Sequence, residues 1–443
     1  VMSRAIRQGC LWLHRYTGLF MAAFLFLAGV TGALLAFHDE LDDAFNHQLA
    51  QVAVQDAPML SIATLHDKVM VAYPSYSFSS LPTHIDAGKS AVFAVDRWRG
   101  SERVTPEPDI DDVYVNPYTG EVLGARNKDT WALNNVMAKV YWLHRDLLLG
   151  DTGKLVLGIA ALLWTLNCFI GFYLTLPRAI NKKMAKKKEK RASWLKRWQP
   201  AWRIRTKRNF FKFNYDLHHA FGLWLWLMLL VIAWSSVGFN LPPVYQPVMQ
   251  TLVGFEPFGF SGQGTQIETP AIDPDAAIGT DYLSRAQASD YAVTKVNSVD
   301  YLQIKAHTAA QQAGYEVQGF LGMRWAMDEG QWQLRFKTDA DIGKQGGASS
   351  ISVDAKTGEV VRVRFGSEAG AGDKTDQWLS TLHMGHIGQG AGHLLYQLFL
   401  SLIGVAVALL SVSGVYLWYK GRQARQKSQY QQQSAVKLTR ELR

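Results

Sequence analysis

Four Leu-His pairs stand at the edges of apolar runs: "WLHRYTGLF" at 12–20, "WLHRDLLLG" at 142–150, "DLHHAFGLW" at 216–224 and "TLHMGHIGQ" at 381–389. An imidazole beside a hydrophobic segment costs free energy, so its repeated placement there points to use. Three uses suit it: a satisfied hydrogen bond, a proton relay, or ligation of a metal or haem iron. One such histidine alone reads best as structural. Four at matched positions favour ligation. A haem iron held by two histidines needs a neutral imidazole from each of two facing helices, with a flat apolar slot between them. Zinc is the competing metal, but it prefers three or four close ligands, and no carboxylate or thiol recurs beside these histidines. The candidate pairs are therefore His14 with His218 and His144 with His383.

Other residues compete for these roles. His38 follows His14 by 24 residues, roughly 36 Å of helix at about 1.5 Å per residue, so it is an alternative outer ligand. His219 adjoins His218 but points about 100° away on a helix, and His386 and His393 lie near His383. Met384 is a further axial candidate, although a space-filling role suits it better. Arg15 and Arg145 directly follow their histidines and suit haem propionates or lipid phosphates equally. Gly18, Gly29, Gly32, Gly222, Gly388, Gly390 and Gly392 give room for a planar macrocycle or for close helix packing. His47, His66, His84 and His307 read as ordinary domain residues. The two cysteines, Cys10 and Cys168, form no C-x-x-C-H, which excludes covalent c-type haem and cysteine-ligated iron–sulfur clusters.

The elements that position these groups are apolar. Of 443 residues, 48% are hydrophobic and only 19% charged, and four segments are long enough to cross a bilayer: 16–37, 154–176, 220–240 and 394–419. The net charge of +9 is gathered near Arg4 and Arg7, in 178–212 and in the tail, so it forms no nucleic-acid-binding face. By the positive-inside rule those three stretches are cytoplasmic, and the polar segments of about 40–150 and 241–390 lie outside. The first span, preceded by basic residues, reads as an uncleaved anchor.

The chain also repeats. "VNPYTGEVLG" at 115–124 matches "VDAKTGEVVR" at 353–362, and the spans that follow end in "GFYLTLP" and "GVYLWYK". "LHRYTGL" matches "LHHAFGL" at equal His-to-Gly spacing. Two copies of span, outer segment and span are thus joined by the basic linker. The expected fold is an α-helical membrane protein: a four-helix bundle with an internal two-fold duplication and two extracytoplasmic α+β domains. A parallel repeat implies a pseudo-two-fold axis along the membrane normal. The expected divisions are 1–40 (N-terminus and span one), 41–150 (first outer domain), 151–177 (span two) and 178–215 (linker). They continue as 216–240 (span three), 241–390 (second outer domain), 391–420 (span four) and 421–443 (tail). The outer domains show helical spacing in "SIATLHDKVMVAY" and "DYLQIKAHTAAQQAGY", then alternating strands, with "MDEG" as a hairpin signal and no nucleophile–base arrangement.

The stretches "LHRYTGLFMAAFLFLAGVTGALLAFHDELD", "LHRDLLLGDTGK", "DLHHAFGLWLWLMLL" and "LHMGHIGQGAGHLL", with the two TGEV turns, resemble the PepSY-associated transmembrane family over nearly the whole chain. The resemblance implies an inner-membrane protein of Gram-negative iron uptake with two periplasmic PepSY-like domains and both termini cytoplasmic. Its functional relatives are siderophore-iron reductases carrying b-type haem. Carried over, the family's histidines fall on His14, His144, His218 and His383, implying two haems b. The second histidine of "HMGH" departs from the pattern and leaves the outer ligand open. The implied route takes an electron from a separate cytoplasmic reductase or a membrane quinol through the inner and outer haems to a ferric siderophore, releasing Fe(II). "GQGAG" at 388–392 lacks a preceding strand and the full G-x-G-x-x-G, so no nucleotide site is expected. Trp131, Tyr141, Trp142 and Trp378 are candidates for lining the exit. The alternatives are a non-redox binding or regulatory membrane protein, and a siderophore permease, which calls for helices broken at mid-membrane.

Overall fold

In the computed structural model, which describes residues 4–96, 109–178, 193–207, 209–255, 293, 295–326, 329–343, 348–388 and 390–441, the apolar runs form helices and the alternating stretches form strands. Residues 179–192 of the basic linker and Met327 and Asp328 of the hairpin signal lie outside the described residues. The principal helices are α1 (Arg4–Leu35), α2 (His38–Phe45), α3 (Ile62–Ala72), α4 (Val136–Asp146), α5 (Gly150–Thr175), α6 (Phe210–Trp224), α7 (Trp226–Asn240), α8 (Lys295–Gln312), α9 (Ala371–Met384) and α10 (Gly390–Glu441).

Among the described residues, three helical stretches are long and apolar enough to cross a membrane: Ala5–Leu35, Gly150–Thr175 and Gly390–Gln432. The pair α6 and α7 passes the same test only together, with a 71° bend between them, giving a fourth span if the pair counts as one. The sequence suggests an unbroken helix over 220–240; the structure breaks it at Leu225, where φ is −102 and ψ is 2. The flanking indoles fix the two limbs. Trp224 Nε1 donates to the Trp202 carbonyl at 3.2 Å, and Trp226 Nε1 donates to the Cys168 carbonyl at 2.9 Å.

The chain divides into two compact units, one of Val1–Phe37, Val140–Tyr245 and Gly390–Arg443, the other of His38–Lys139 and Gln246–Gln389. In the first, α1 packs on α5 and α10, and α5 packs on α7. Glycines close the α1–α10 crossing: a Cβ at Gly29 would fall 2.6 Å from the Gly404 carbonyl oxygen, and one at Gly404 would fall 2.5 Å from that of Gly29. Such close backbone approach is how helices associate in lipid, where no hydrophobic driving force acts between them.

The second unit holds both segments that lie between the candidate spans. A five-stranded antiparallel sheet runs in the order β1 (Ser80–Leu81), β5 (Val317–Ala326), β6 (Gln331–Thr338), β7 (Ser349–Asp354) and β8 (Val360–Arg364). A second sheet holds β2 (Ala91–Ala94), β3 (Asp112–Val115) and β4 (Val122–Arg126). Strand β1, from the first of these segments, thus joins the sheet of the second. The core is likewise shared: Leu65, Phe93 and Val113 cluster with Leu302, Trp332 and Ile351, all fully buried. The two TGEV turns repeat each other, with Gly120 and Gly358 left-handed at φ 71 and φ 72, a region that favours glycine. Arg126 on β4 is 3% exposed and grips the Asp42 carboxylate with two bonds of 2.8 and 3.2 Å.

Candidate functional site

Helices α1 and α6 bring the His14 and His218 rings together, with centroids 6.4 Å apart and planes crossing at 76°. Two metal–nitrogen bonds of about 2 Å each, plus the two nitrogen-to-centre distances within the rings, sum to roughly 6 Å. The spacing therefore suits one metal ion between the two imidazoles.

The neighbours prepare each ring for that use. His14 Nδ1 lies 3.1 Å from Asn167 Oδ1, while Asn167 Nδ2 donates to Thr17 Oγ1 at 2.7 Å, which orients the amide. An amide oxygen only accepts, so the His14 proton sits on Nδ1 and Nε2 keeps its lone pair. His218 Nδ1 lies 2.9 Å from Ser413 Oγ, whose single proton is donated to the Leu410 carbonyl at 3.0 Å. That hydroxyl must accept from His218, which leaves the Nε2 of the neutral ring unprotonated. His144 repeats the device: its Nδ1 is 2.9 Å from Thr31 Oγ1, and Thr31 donates to the Leu27 carbonyl at 2.7 Å. In their neutral form these histidines carry the proton on Nδ1 and leave Nε2 available, the form that binds a metal.

Glycines seat the same rings. A Cβ at Gly171 would lie 3.2 Å from His14 Cε1, one at Gly414 would lie 3.4 Å from His218 Cε1, and one at Gly32 would lie 3.1 Å from His144 Cε1. Gly18 and Gly222, one helical turn after His14 and His218, play the other part. A Cβ at either would meet nothing within 4 Å, and both border a cavity of about 1110 Å³. His14, His218, His219 and Arg15 line it too, beside apolar groups such as Trp226. A flat, largely apolar group edged with acid fits this donor set and this space.

The other candidates take separate places. His219 stacks on Tyr215 at 4.2 Å. His38 Nδ1 pairs with Asp39 at 2.9 Å, a hydrogen bond that holds this imidazole above its ordinary pKa. Arg145 is engaged by the Asp146 carboxylate at 2.6 Å and lies over the Tyr141 ring, whereas Arg15 borders the cavity. His383 sits in the last turn of α9, His386 follows the left-handed Gly385, and His393 is in the first turn of α10. His383 and His386 belong to the second unit, His144 and His393 to the first. His66 is fully buried, with Nε2 2.9 Å from the Phe78 carbonyl, as suits a core residue. Among the described residues no three His, Cys, Asp or Glu gather as a metal cluster.

Strain marks the approach to α5. Leu147 and Leu148 both adopt left-handed backbone, at φ 57 and φ 60, just after His144. The buried Asp146 carboxylate accepts from the Leu148 amide at 3.1 Å and holds the turn.

A model of the PepSY-associated TM region family matches residues 11–421, a stretch that includes every prepared histidine. The chain belongs to this family. Comparison with curated proteins finds no match. In this PepSY-associated membrane protein the Leu-His motifs do not name Asn167, Ser413 and Thr31 as ring partners, or Gly171 and Gly414 as ring seats. A signal for the glycines existed, since each opens one of the matched span ends, "GFYLTLP" and "GVYLWYK". Asn167, a lone amide deep in an apolar run, was legible in the same way.

Proposed function

We propose that this chain is a haem-b electron carrier of the bacterial inner membrane that reduces a ferric siderophore on the outer side. The observation that carries this reading is the His14–His218 pair, 6.4 Å apart across a cavity, with both Nδ1 atoms engaged. Haem held there would supply a one-electron carrier. His14 and His218 would hold it, Gly18 and Gly222 would leave it room, and Arg15 would offer donors to its carboxylates. His144, set in the same way against Thr31 and Gly32, supports a second haem. The duplication proposes His383 as its mate, with His38, His386 and His393 as alternatives.

The electron comes from a separate cytoplasmic reductase or a membrane quinol. On the outer side one electron converts Fe(III) in the chelate to Fe(II), which binds hard oxygen donors less tightly and is released from the intact chelator. The orientation rests on the basic linker facing the cytoplasm.

The break at Leu225 invites the permease reading, because transporters bind solutes at broken helices. This break is flanked by Trp224 and Trp226, and its backbone stays paired: Leu225 N–H bonds to Phe221 and Leu229 N–H bonds to Leu225. That reading gives the paired histidines and their cavity no part, and electron transfer is the reading preferred.

Protein purified in detergent from haem-replete cells tests this. The expected result is a red preparation whose dithionite-reduced spectrum shows the α-band of a bis-histidine b haem, diminished in His14→Ala and in His218→Ala. A folded, colourless preparation would overturn the proposal.

A further inference from the structure

The cavity beside His14 and His218 is basic at one end. Helices α1 and α10 cross at Gly29 and Gly404. His14 and Gly414, the seat of His218, lie to one side of that crossing, and Arg7 and Arg425 lie farther out on the same side. At about 1.5 Å per residue, Arg7 stands roughly 10 Å beyond His14 along α1, and Arg425 roughly 16 Å beyond Gly414 along α10. Arg178 and Arg197 line the cavity with them, and among its described lining residues there is no Asp or Glu. Arg7 donates to the Leu174 and Leu176 carbonyls, and Arg197 to the Arg178 carbonyl. These bonds fix the guanidinium groups at the α5 C-terminus, whose dipole offsets only about half a charge.

Helix α10 carries the charge outward. Past Tyr419 it runs on to Glu441, roughly 33 Å at about 1.5 Å per residue. Arg422, Arg425 and Lys427 are exposed on this stretch, and residues 390–440 contain no Asp or Glu. No acid therefore stands three or four residues away to pair with them, the arrangement that commonly supports an exposed helix. The described linker residues 193–207 add Lys196, Arg197, Arg203, Arg205 and Lys207 and hold no acid, while Asp216 takes Arg205. Like charges gathered at one end of the bundle repel, and an anionic partner relieves them.

We propose that this basic end, with the α10 extension, docks the electron donor, and that the donor is an acidic, water-soluble protein carrying single electrons. The proposal rests on the reading that the chain transfers electrons, and it adds which donor serves and where it binds. A quinol is uncharged and gives a cationic surface nothing to pair with. Lipid phosphate meets arginines at the bilayer surface, but a headgroup layer about 5–8 Å deep does not cover a helix that continues for roughly 33 Å. Electron-transfer complexes are small and steered by charge, as this surface suits. One electron leaves the carrier for each chelated Fe(III) that becomes Fe(II), so a one-electron carrier balances the reduction. Biolayer interferometry of the full chain in zwitterionic-lipid nanodiscs tests the docking, with oxidised flavodoxin as the acidic probe and basic cytochrome c as the control. The expected result is saturable binding of flavodoxin that weakens with added salt and falls at least about tenfold in Arg422→Gln/Arg425→Gln/Lys427→Gln. Arg422→Lys/Arg425→Lys should bind as wild type, because steering reads charge. Cytochrome c should not bind.

Wild-type protein that fails to bind flavodoxin, binds it independently of salt, or binds cytochrome c as well overturns the proposal. So does a folded glutamine variant that binds flavodoxin as wild type. If that variant instead loses only its affinity for phosphatidylglycerol vesicles, the surface belongs to lipid headgroups and the proposal falls. Should the glutamine variant not fold, the salt dependence, the lysine variant and the cytochrome c control decide. The haem band of the same samples reports separately. A colourless protein that still binds flavodoxin defeats the electron-transfer reading and leaves the docking surface; a red protein that does not bind it defeats the docking surface and leaves the quinol as donor.

Discussion

At the scale of single residues, one device recurs at His14, His218 and His144: an acceptor on Nδ1 and a glycine beneath Cε1. Asn167→Leu removes the acceptor of the His14 N–H and the donor to Thr17 together. Stranding those buried polar groups costs about 1–3 kcal/mol, which a denaturant midpoint will show, and frees the ring to turn away from the cavity. Gly171→Leu acts sterically, since its side chain meets an imidazole 3.2 Å from the first carbon. It is expected to lower haem content with helix content retained, as measured by the ratio of haem to protein absorbance. In the second unit, Asp42→Ala would leave Arg126, 3% exposed, without its carboxylate. That is expected to cost about 3–5 kcal/mol in chemical unfolding. The histidines themselves were legible, because Leu-His before an apolar run is visible without coordinates. Ring partners such as Ser413 were not: serine in a span commonly bonds its own helix, and no local pattern names a partner nearly two hundred residues away.

At the scale of elements, the spans were legible from hydropathy and length, and their shapes were not. The break at Leu225 carries no proline or glycine to announce it. It arises from two indoles that find backbone carbonyls outside their own helix. Glycines mark the other close contact, between α1 and α10. Gly404→Leu puts a side chain where a single carbon already lies 2.5 Å from the Gly29 carbonyl. The helices must separate, and a loss of at least about 1–3 kcal/mol is expected from overpacking. The turn after His144 makes the opposite prediction. Leu148 is 40% exposed and left-handed, so Leu148→Gly removes strain while losing little packing. A gain of up to about 1 kcal/mol is expected, read as a higher melting temperature. A lower one would mean that the leucine contacts outweigh the strain.

At the scale of the whole molecule, the matching TGEV turns were legible in the sequence, and the packing of the segments that carry them was not. Alternation marks Ser80 and Leu81 as extended, but which sheet they join depends on strands more than two hundred residues later. The shared core makes these two segments one folding unit. Trp332→Ala, at a fully buried position, is expected to cost about 3–5 kcal/mol. Hydrogen exchange should then show β2–β4 and β5–β8 losing protection together; separate transitions would contradict a common core.

The proposed holding of one iron between His14 and His218 is tested most directly by electron paramagnetic resonance of the oxidised, purified protein. Two imidazoles crossing at 76° predict a strongly anisotropic low-spin ferric signal, lost or converted to high spin in His218→Ala. A wild-type preparation with no low-spin ferric signal, or one whose signal is unchanged by His14→Ala and by His218→Ala, would contradict it.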